Sequence, residues 1–139
     1  MHHSRVCLRV HRIFTTKDRR RGIPDELQPR LWAFIGGVAR ELGMIAVAVG
    51  GTADHVHILL QLPPTMRPAE AVQKVKANSS RWMHEITGKR FFWQEATGAF
   101  SIGISQTDAT VKYILQQREH DTRHSVDDEV ESIYKKLSA

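Results

Sequence analysis

The run from His55 to Leu62 constrains this chain more than any other segment. It reads His-Val-His-Ile-Leu-Leu-Gln-Leu and stops at Pro63 and Pro64, which cannot donate to a strand ladder. In an extended strand successive side chains point to opposite faces. Val56, Ile58, Leu60 and Leu62 therefore share one side, and His55, His57, Leu59 and Gln61 the other. The first set is wholly apolar and belongs under packed helices. This predicts both imidazoles on the open face of a sheet, close enough to hold one cation together. Asp54, just before them, could orient a ring or add negative charge. Upstream, Met44 to Val49 reads as a short apolar strand, and with Gly50 and Gly51 as turn residues the two strands form a hairpin.

The remaining periodicities fill in around that hairpin. Val6 to Thr15 is rich in β-branched residues and alternates for part of its length, which predicts a first strand. Pro24, Asp25 and Glu26 open a helix carrying Leu27, Leu31, Ile35, Val38 and Leu42 at helical spacing, and Gly43 ends it. Pro68 suits the first turn of a second helix, whose inner face is Val72, Val75, Ser79, Trp82 and Met83. Phe91 to Gln94 and Ala99 to Ile104 suggest the last strand, with Phe100, Ile102 and Ile104 on one side. Ser105 and Asp108 have capping-box-like spacing before a helix from Ala109 to His120, and a final helix spans Val126 to Leu137. The order βαββαβα with a terminal helix is an α+β, ferredoxin-like split βαβ pattern: an antiparallel sheet with helices on one face.

Composition narrows the function classes. At 139 residues the chain fits one domain, 1–139. Its apolar runs are too short to span a bilayer, and its first residues lack a signal-peptide core, so the expected setting is cytoplasmic, without a membrane partner. Cys7 stands alone, which excludes an intramolecular disulfide and a cysteine-based zinc site; it reads as a buried thiol. Lys and Arg outnumber Asp and Glu by 20 to 15, a net charge of +5, which suits a phosphate-rich partner. The basic residues gather as Lys17, Arg19, Arg20 and Arg21, and again as Lys74, Lys76 and Arg81.

On the helix from Ala109, advancing roughly 100° per residue, Val111, Ile114 and Leu115 trace the apolar stripe. Tyr113, Gln117 and His120 fall on the opposite side. A tyrosine used for packing would sit in the stripe, so Tyr113 reads as displaced toward a polar face with a carboxamide one turn away. Gln117 could supply the oxygen ligand that two histidines lack.

Taken together these residues resemble the HUH single-strand endonucleases, here through His55-Val56-His57. More narrowly the chain is similar to the single-tyrosine transposases of small insertion sequences, including the REP-associated ones. The matching stretches are Phe14-Thr15-Thr16-Lys17, Gly50-Gly51-Thr52-Ala53-Asp54-His55-Val56-His57, Lys76-Ala77-Asn78-Ser79-Ser80-Arg81-Trp82, Trp93-Gln94, Gly98-Ala99-Phe100-Ser101 and Tyr113-Ile114-Leu115-Gln116-Gln117. The resemblance implies that Tyr113 is the nucleophile and that His55, His57 and Gln117 are ligands of Mg²⁺ or Mn²⁺. It also implies a homodimer in which the tyrosine helix of one subunit can complete the histidine site of the other. The DNA partner would be single-stranded, with hairpin-forming element ends. The chain departs from the family pattern at Ala96-Thr97-Gly98, where Gly-Tyr-Gly is frequent, and at His120-Asp121, where paired histidines are frequent.

A phenol with a pKa near 10 needs an activated phosphorus to attack, and a cation on a phosphate oxygen supplies that activation. Two imidazoles and a carboxamide leave the cation its full charge and open positions, which suits Mg²⁺ or Mn²⁺ better than a closed zinc site. The resulting 5′ link on Tyr113 could be displaced by another 3′ hydroxyl, rejoining strands without ATP. Trp82, Phe92 and Trp93 are candidates for base stacking or for core packing. Two other readings remain: a domesticated or noncatalytic nucleic-acid-binding ferredoxin-like protein, and a metal-dependent nuclease that uses water.

Overall fold

A computed structural model describes residues 8–94, 98–117 and 131–133. Among the described residues up to Gln117, four strands and three α-helices follow one another as β1 (Leu8–Thr15), α1 (Gln28–Glu41), β2 (Ile45–Gly51), β3 (His55–Leu62), α2 (Pro68–Thr87), β4 (Gly98–Ile102) and α3 (Thr107–Leu115). The strands form one sheet in the order β2-β3-β1-β4, with every neighbouring pair antiparallel. This is the α+β, ferredoxin-like arrangement that the sequence predicts. Cys7, Ala96, Thr97, His120, Asp121 and most of the expected last helix lie outside the described residues; residues 131–133 are helical. Among the described residues no helix is long and apolar enough to cross a membrane.

The apolar side of β3 behaves as its alternation dictates. Val56, Ile58, Leu60 and Leu62 join Val10 and Phe14 of β1 beneath α1 and α2, which contribute Leu31, Ile35, Val75 and Met83 to the same core. Full burial of each such side chain contributes roughly 1.5–3 kcal/mol. Helix α1 carries Pro29 in its first turn, and Gln28 before it closes the entry by donating to the Ile23 carbonyl at 3.1 Å. The chain leaves α1 through Gly43 at φ +82° and α2 through Gly88 at φ +67°, left-handed positions where glycine carries no steric penalty.

Several expectations about boundaries are corrected. Gly50 and Gly51 are strand residues of β2, not turn residues; the turn is Thr52, Ala53 and Asp54. Phe91 to Gln94 is not part of the last strand; it meets the end of β1 through a bridge between Trp93 and Thr16 and by packing Phe91 and Trp93 near Phe14. Ile104 does not continue the inner face of β4. It opens a 3-10 turn, Ile104–Gln106, and is 73% exposed. The turn before α3 is closed by Gly103 N–H donating to the Gln106 side chain at 3.1 Å, rather than by Ser105 and Asp108, and α3 begins at Thr107.

A β-bulge between Ala46 and Ala48 has a larger effect than its size suggests. It shifts the register so that Ala46 pairs with Leu60 but Ala48 pairs with Leu59, and Gly50 comes opposite His57. Without the extra residue Gly50 would face α1 and α2. With it, Gly50 stands on the histidine face.

Candidate active site

The histidine face is not open. Helix α3 lies across it, with Ile114 fully buried against Ile13, Ala48, Leu59, Phe100 and Ile102. His55 and His57 are consequently 1% and 0% exposed. The close approach depends on Gly50: a Cβ there would fall inside the Ile114 carbonyl oxygen. The expected stripe on α3 is also corrected. Leu115 is 65% exposed, whereas Gln117 is buried and Tyr113 is half-buried against the sheet. Tyr113 and Gln117 thus face the sheet of their own chain instead of turning away from it.

Five side chains meet beneath α3. The Tyr113 ring stands edge-on to His57, with centroids 5.5 Å apart, and to His11, at 6.4 Å. His55 and His57 are themselves 5.2 Å apart between centroids. Gln117 places Oε1 3.0 Å from His55 Nε2, while its amide nitrogen donates to the Tyr113 carbonyl at 3.3 Å and so fixes which end of the carboxamide faces the imidazole. On the other side of the ring, His55 Nδ1 lies 2.8 Å from Asp54 Oδ1 and 3.0 Å from Thr52 Oγ1. The hydrogen bond to His55 holds the Asp54 carboxyl below the ordinary range against the opposing effect of burial, with help from Thr52 and Arg21. An ionised carboxylate only accepts, so Nδ1 of His55 carries the proton.

That assignment makes the 3.0 Å approach of His55 Nε2 to Gln117 Oε1 informative. Both atoms then present lone pairs, and either a proton or a cation has to lie between them. Among the described residues no three His, Cys, Asp or Glu side chains converge as a metal site. Gln117 is in place to add an oxygen donor beside the histidines. The donors fit a hard divalent ion with open positions.

His11 is the functional-site residue the sequence reading passed over. It is buried, its Nε2 lies 2.9 Å from His57 Nδ1, and burial, with a smaller contribution from His57, lowers its pKa to about 3. Its signal was available: Arg9, His11, Ile13 and Thr15 share one face of β1, and β1 is the strand next to β3.

The basic residues part company. Lys17, Arg20 and Arg21 line a cleft of about 680 Å³ together with Arg30, Lys89 and Arg90, and exposed Phe92 lies on its wall. Arg19 is exposed beside it. The cleft adjoins the site, because Thr16 donates its backbone N–H to the Asp54 carbonyl at 2.8 Å. The second cluster is engaged elsewhere. Lys74 pairs with Glu70 at 3.3 Å, Lys76 donates to the Gln94 carbonyl at 2.8 Å, and Arg81 donates to Asn78 at 2.6 Å. Trp82 stacks on Phe34 with centroids 5.2 Å apart, and Trp93 donates to Ser79 at 2.9 Å while packing edge-on against Phe91. Both indoles serve packing, which leaves Phe92 as the exposed ring of the three.

The chain is similar to known proteins over most of its length. A family model described as "Transposase IS200 like" matches residues 4–117. The transposase for insertion sequence element IS200 of Salmonella typhimurium is 25% identical over 127 residues, covering 86% of this chain and 82% of that protein. Its counterpart from Salmonella typhi matches to the same extent. Among solved structures, a transposase candidate from Deinococcus radiodurans R1 superposes with a TM-score of 0.64 at 22% identity, covering 91% of this chain and all of that one. A REP-associated tyrosine transposase bound to a REP hairpin superposes with a TM-score of 0.59 at 17% identity, covering 82% of this chain and 70% of its own.

Proposed function

Because the chain belongs to the IS200-like transposase family, and so is a transposase, an enzyme of DNA cleavage and strand transfer, we propose that it cuts and rejoins single-stranded DNA through a phosphodiester carried on Tyr113. The observation that carries this reading is the convergence of Tyr113 from α3, and of Gln117 just past its end, on His55 and His57 from β3. His55, His57 and Gln117 would hold Mg²⁺ or Mn²⁺, which when bound supplies charge neutralisation and polarisation at a phosphate oxygen. Asp54 orients His55 through Nδ1 and keeps Nε2 turned toward Gln117. Tyr113 supplies the oxygen that bonds to phosphorus as the bond to the DNA 3′ oxygen breaks. The phenol loses its proton, the leaving 3′ oxygen gains one, and the 5′ phosphate stays on the tyrosine. A second 3′ hydroxyl reverses the step and joins strands.

The cleft lined by Lys17, Arg20 and Arg21 would receive the DNA backbone, with Arg19 at its margin and Phe92 offering a face for a base. A fold neighbour was solved with a REP hairpin, so hairpin-forming element ends are the proposed partner. The proposed working unit is a homodimer. Seating Tyr113 over His57 of its own chain favours a site completed within each subunit. Verified heterodimers of Tyr113→Phe and His57→Ala subunits should then stay inactive; restored cleavage would show the tyrosine helix crossing between subunits.

Mass spectrometry after incubation with single-stranded DNA and Mn²⁺ tests the chemistry. The expected product is a covalent adduct on Tyr113, lost in Tyr113→Phe with folding and DNA binding retained. Cleavage without an adduct would indicate a water nucleophile, and binding with no cleavage a noncatalytic protein.

A further inference from the structure

His11 and His57 occupy diagonal positions on neighbouring antiparallel strands, since Ile13 rather than His11 is the direct partner of His57. Their rings nevertheless meet, with centroids 5.1 Å apart and the planes tilted by 37°. Phe100 on β4, 5.9 Å from His11, packs against the ring from the other side. Both imidazoles are buried, at 2% and 0% exposure. The 2.9 Å contact between His11 Nε2 and His57 Nδ1 has room for one proton and needs one, because two would clash and none would set lone pair against lone pair.

The owner of that proton decides what His57 can do. If His11 donates, His57 Nδ1 accepts and its proton moves to Nε2, which then cannot bind a cation. If His57 donates through Nδ1, its Nε2 keeps the lone pair. We infer that His11 is a positioning residue that accepts the Nδ1–H of His57 and so holds the second histidine in its ligating tautomer. Asp54 stands to His55 as His11 stands to His57. A neutral imidazole accepts without adding the negative charge that a carboxylate brings, so the pair is oriented on both rings while only one anion is placed beside it.

The inference rests on the cation reading proposed above, and one set of measurements separates the two. Histidine ¹⁵N labelling of metal-free protein reads which nitrogen of His57 is protonated, with the signal assigned by its absence from His57→Ala. The wild type should show Nδ1–H. His11→Gln, which can bring a carbonyl oxygen near the lost Nε2, should keep Nδ1–H, and His11→Leu, which has no acceptor, should shift the proton toward Nε2. Mn²⁺ titration of the same folded proteins should weaken by about 10- to 100-fold in His11→Leu and stay near the wild-type value in His11→Gln. An Nε2–H tautomer in the wild type overturns the proposal, as does wild-type Mn²⁺ affinity in folded His11→Leu. If Mn²⁺ binds His57→Ala as tightly as wild type, the cation reading falls, while the tautomer spectra still decide the role of His11.

Discussion

The two faces of the sheet are built from the same strands and bury their residues equally well, yet they hold different kinds of side chain. Beneath α1 and α2, β3 contributes Val56, Ile58, Leu60 and Leu62, and β1 contributes Val10 and Phe14. Beneath α3, the same strands contribute His55, His57 and His11 beside Ile13 and Leu59. Burial alone therefore does not distinguish core from chemistry here. What distinguishes them is that each buried imidazole meets a polar partner: Asp54 and Gln117 for His55, and His11 for His57. A buried polar group left without a partner costs about 1–3 kcal/mol, so the network is also a condition for α3 to close over it.

Substitutions on the two faces should separate along that line. The largest effect is expected from His57→Ala, which should reduce metal-dependent cleavage below detection while leaving the cooperative unfolding of the helix-side core in place. Normal cleavage by this variant in Mg²⁺ would remove His57 from the proposed ligands. Leu60→Ala, on the opposite face of the same strand, should do the reverse. It should cost about 2–5 kcal/mol of stability and leave the cleavage rate per folded molecule unchanged at low temperature. Denaturant unfolding beside a single-turnover assay checks both halves, and a selective loss of rate in Leu60→Ala would show that the faces are coupled.

A smaller effect should appear with pH. His11 faces His57 on β3, Phe100 on β4 and Tyr113 on α3, and its pKa in the folded chain is about 3. The unfolded value is about 6.5. Above that value both states are neutral at this position, and below it only the unfolded chain takes up the proton. The folded state therefore loses stability as pH falls from 6.5 toward 3. For this one group the loss between pH 6.5 and pH 5.5 is about 1 kcal/mol. Unfolding of chelator-treated protein should show a shallower acid slope in His11→Phe than in the wild type, and equal slopes would mean that His11 is protonated in the folded protein.

The parts of this comparison that were legible in the sequence are those carried by long periodic runs. The β3 boundaries, the start of α2 at Pro68 and the end of α1 at Gly43 follow from alternation, helical spacing and local backbone rules. The nine residues of α3 offer too few turns for an apolar stripe to declare itself. Leu115 reads as core but is exposed, and Gln117 reads as outward but is buried, because the face that α3 covers is mixed, with His11, His55 and His57 beside Ile13 and Leu59. The bulge at Ala46/Ala48 left no periodic trace either, and with it went the placement of Gly50. His11 was overlooked for a related reason. A single histidine in a strand gains meaning only when the neighbouring strand is known.

Gly50 has a consequence for how such a gene ages. Any amino-acid replacement there adds a Cβ where the Ile114 carbonyl now sits, so every missense change at this codon pushes against the helix that carries Tyr113 and leads into Gln117. The helix-side core lies on the opposite face of the sheet, and the cleft at Lys17, Arg20 and Arg21 is lined by none of the residues of α3. A copy that drifted at this one position would keep the cleft proposed to receive DNA while the residues proposed to cut it separated. Inheritance could thus turn a mobile element's enzyme into a resident DNA-binding protein in a single step, without first passing through an unfolded one.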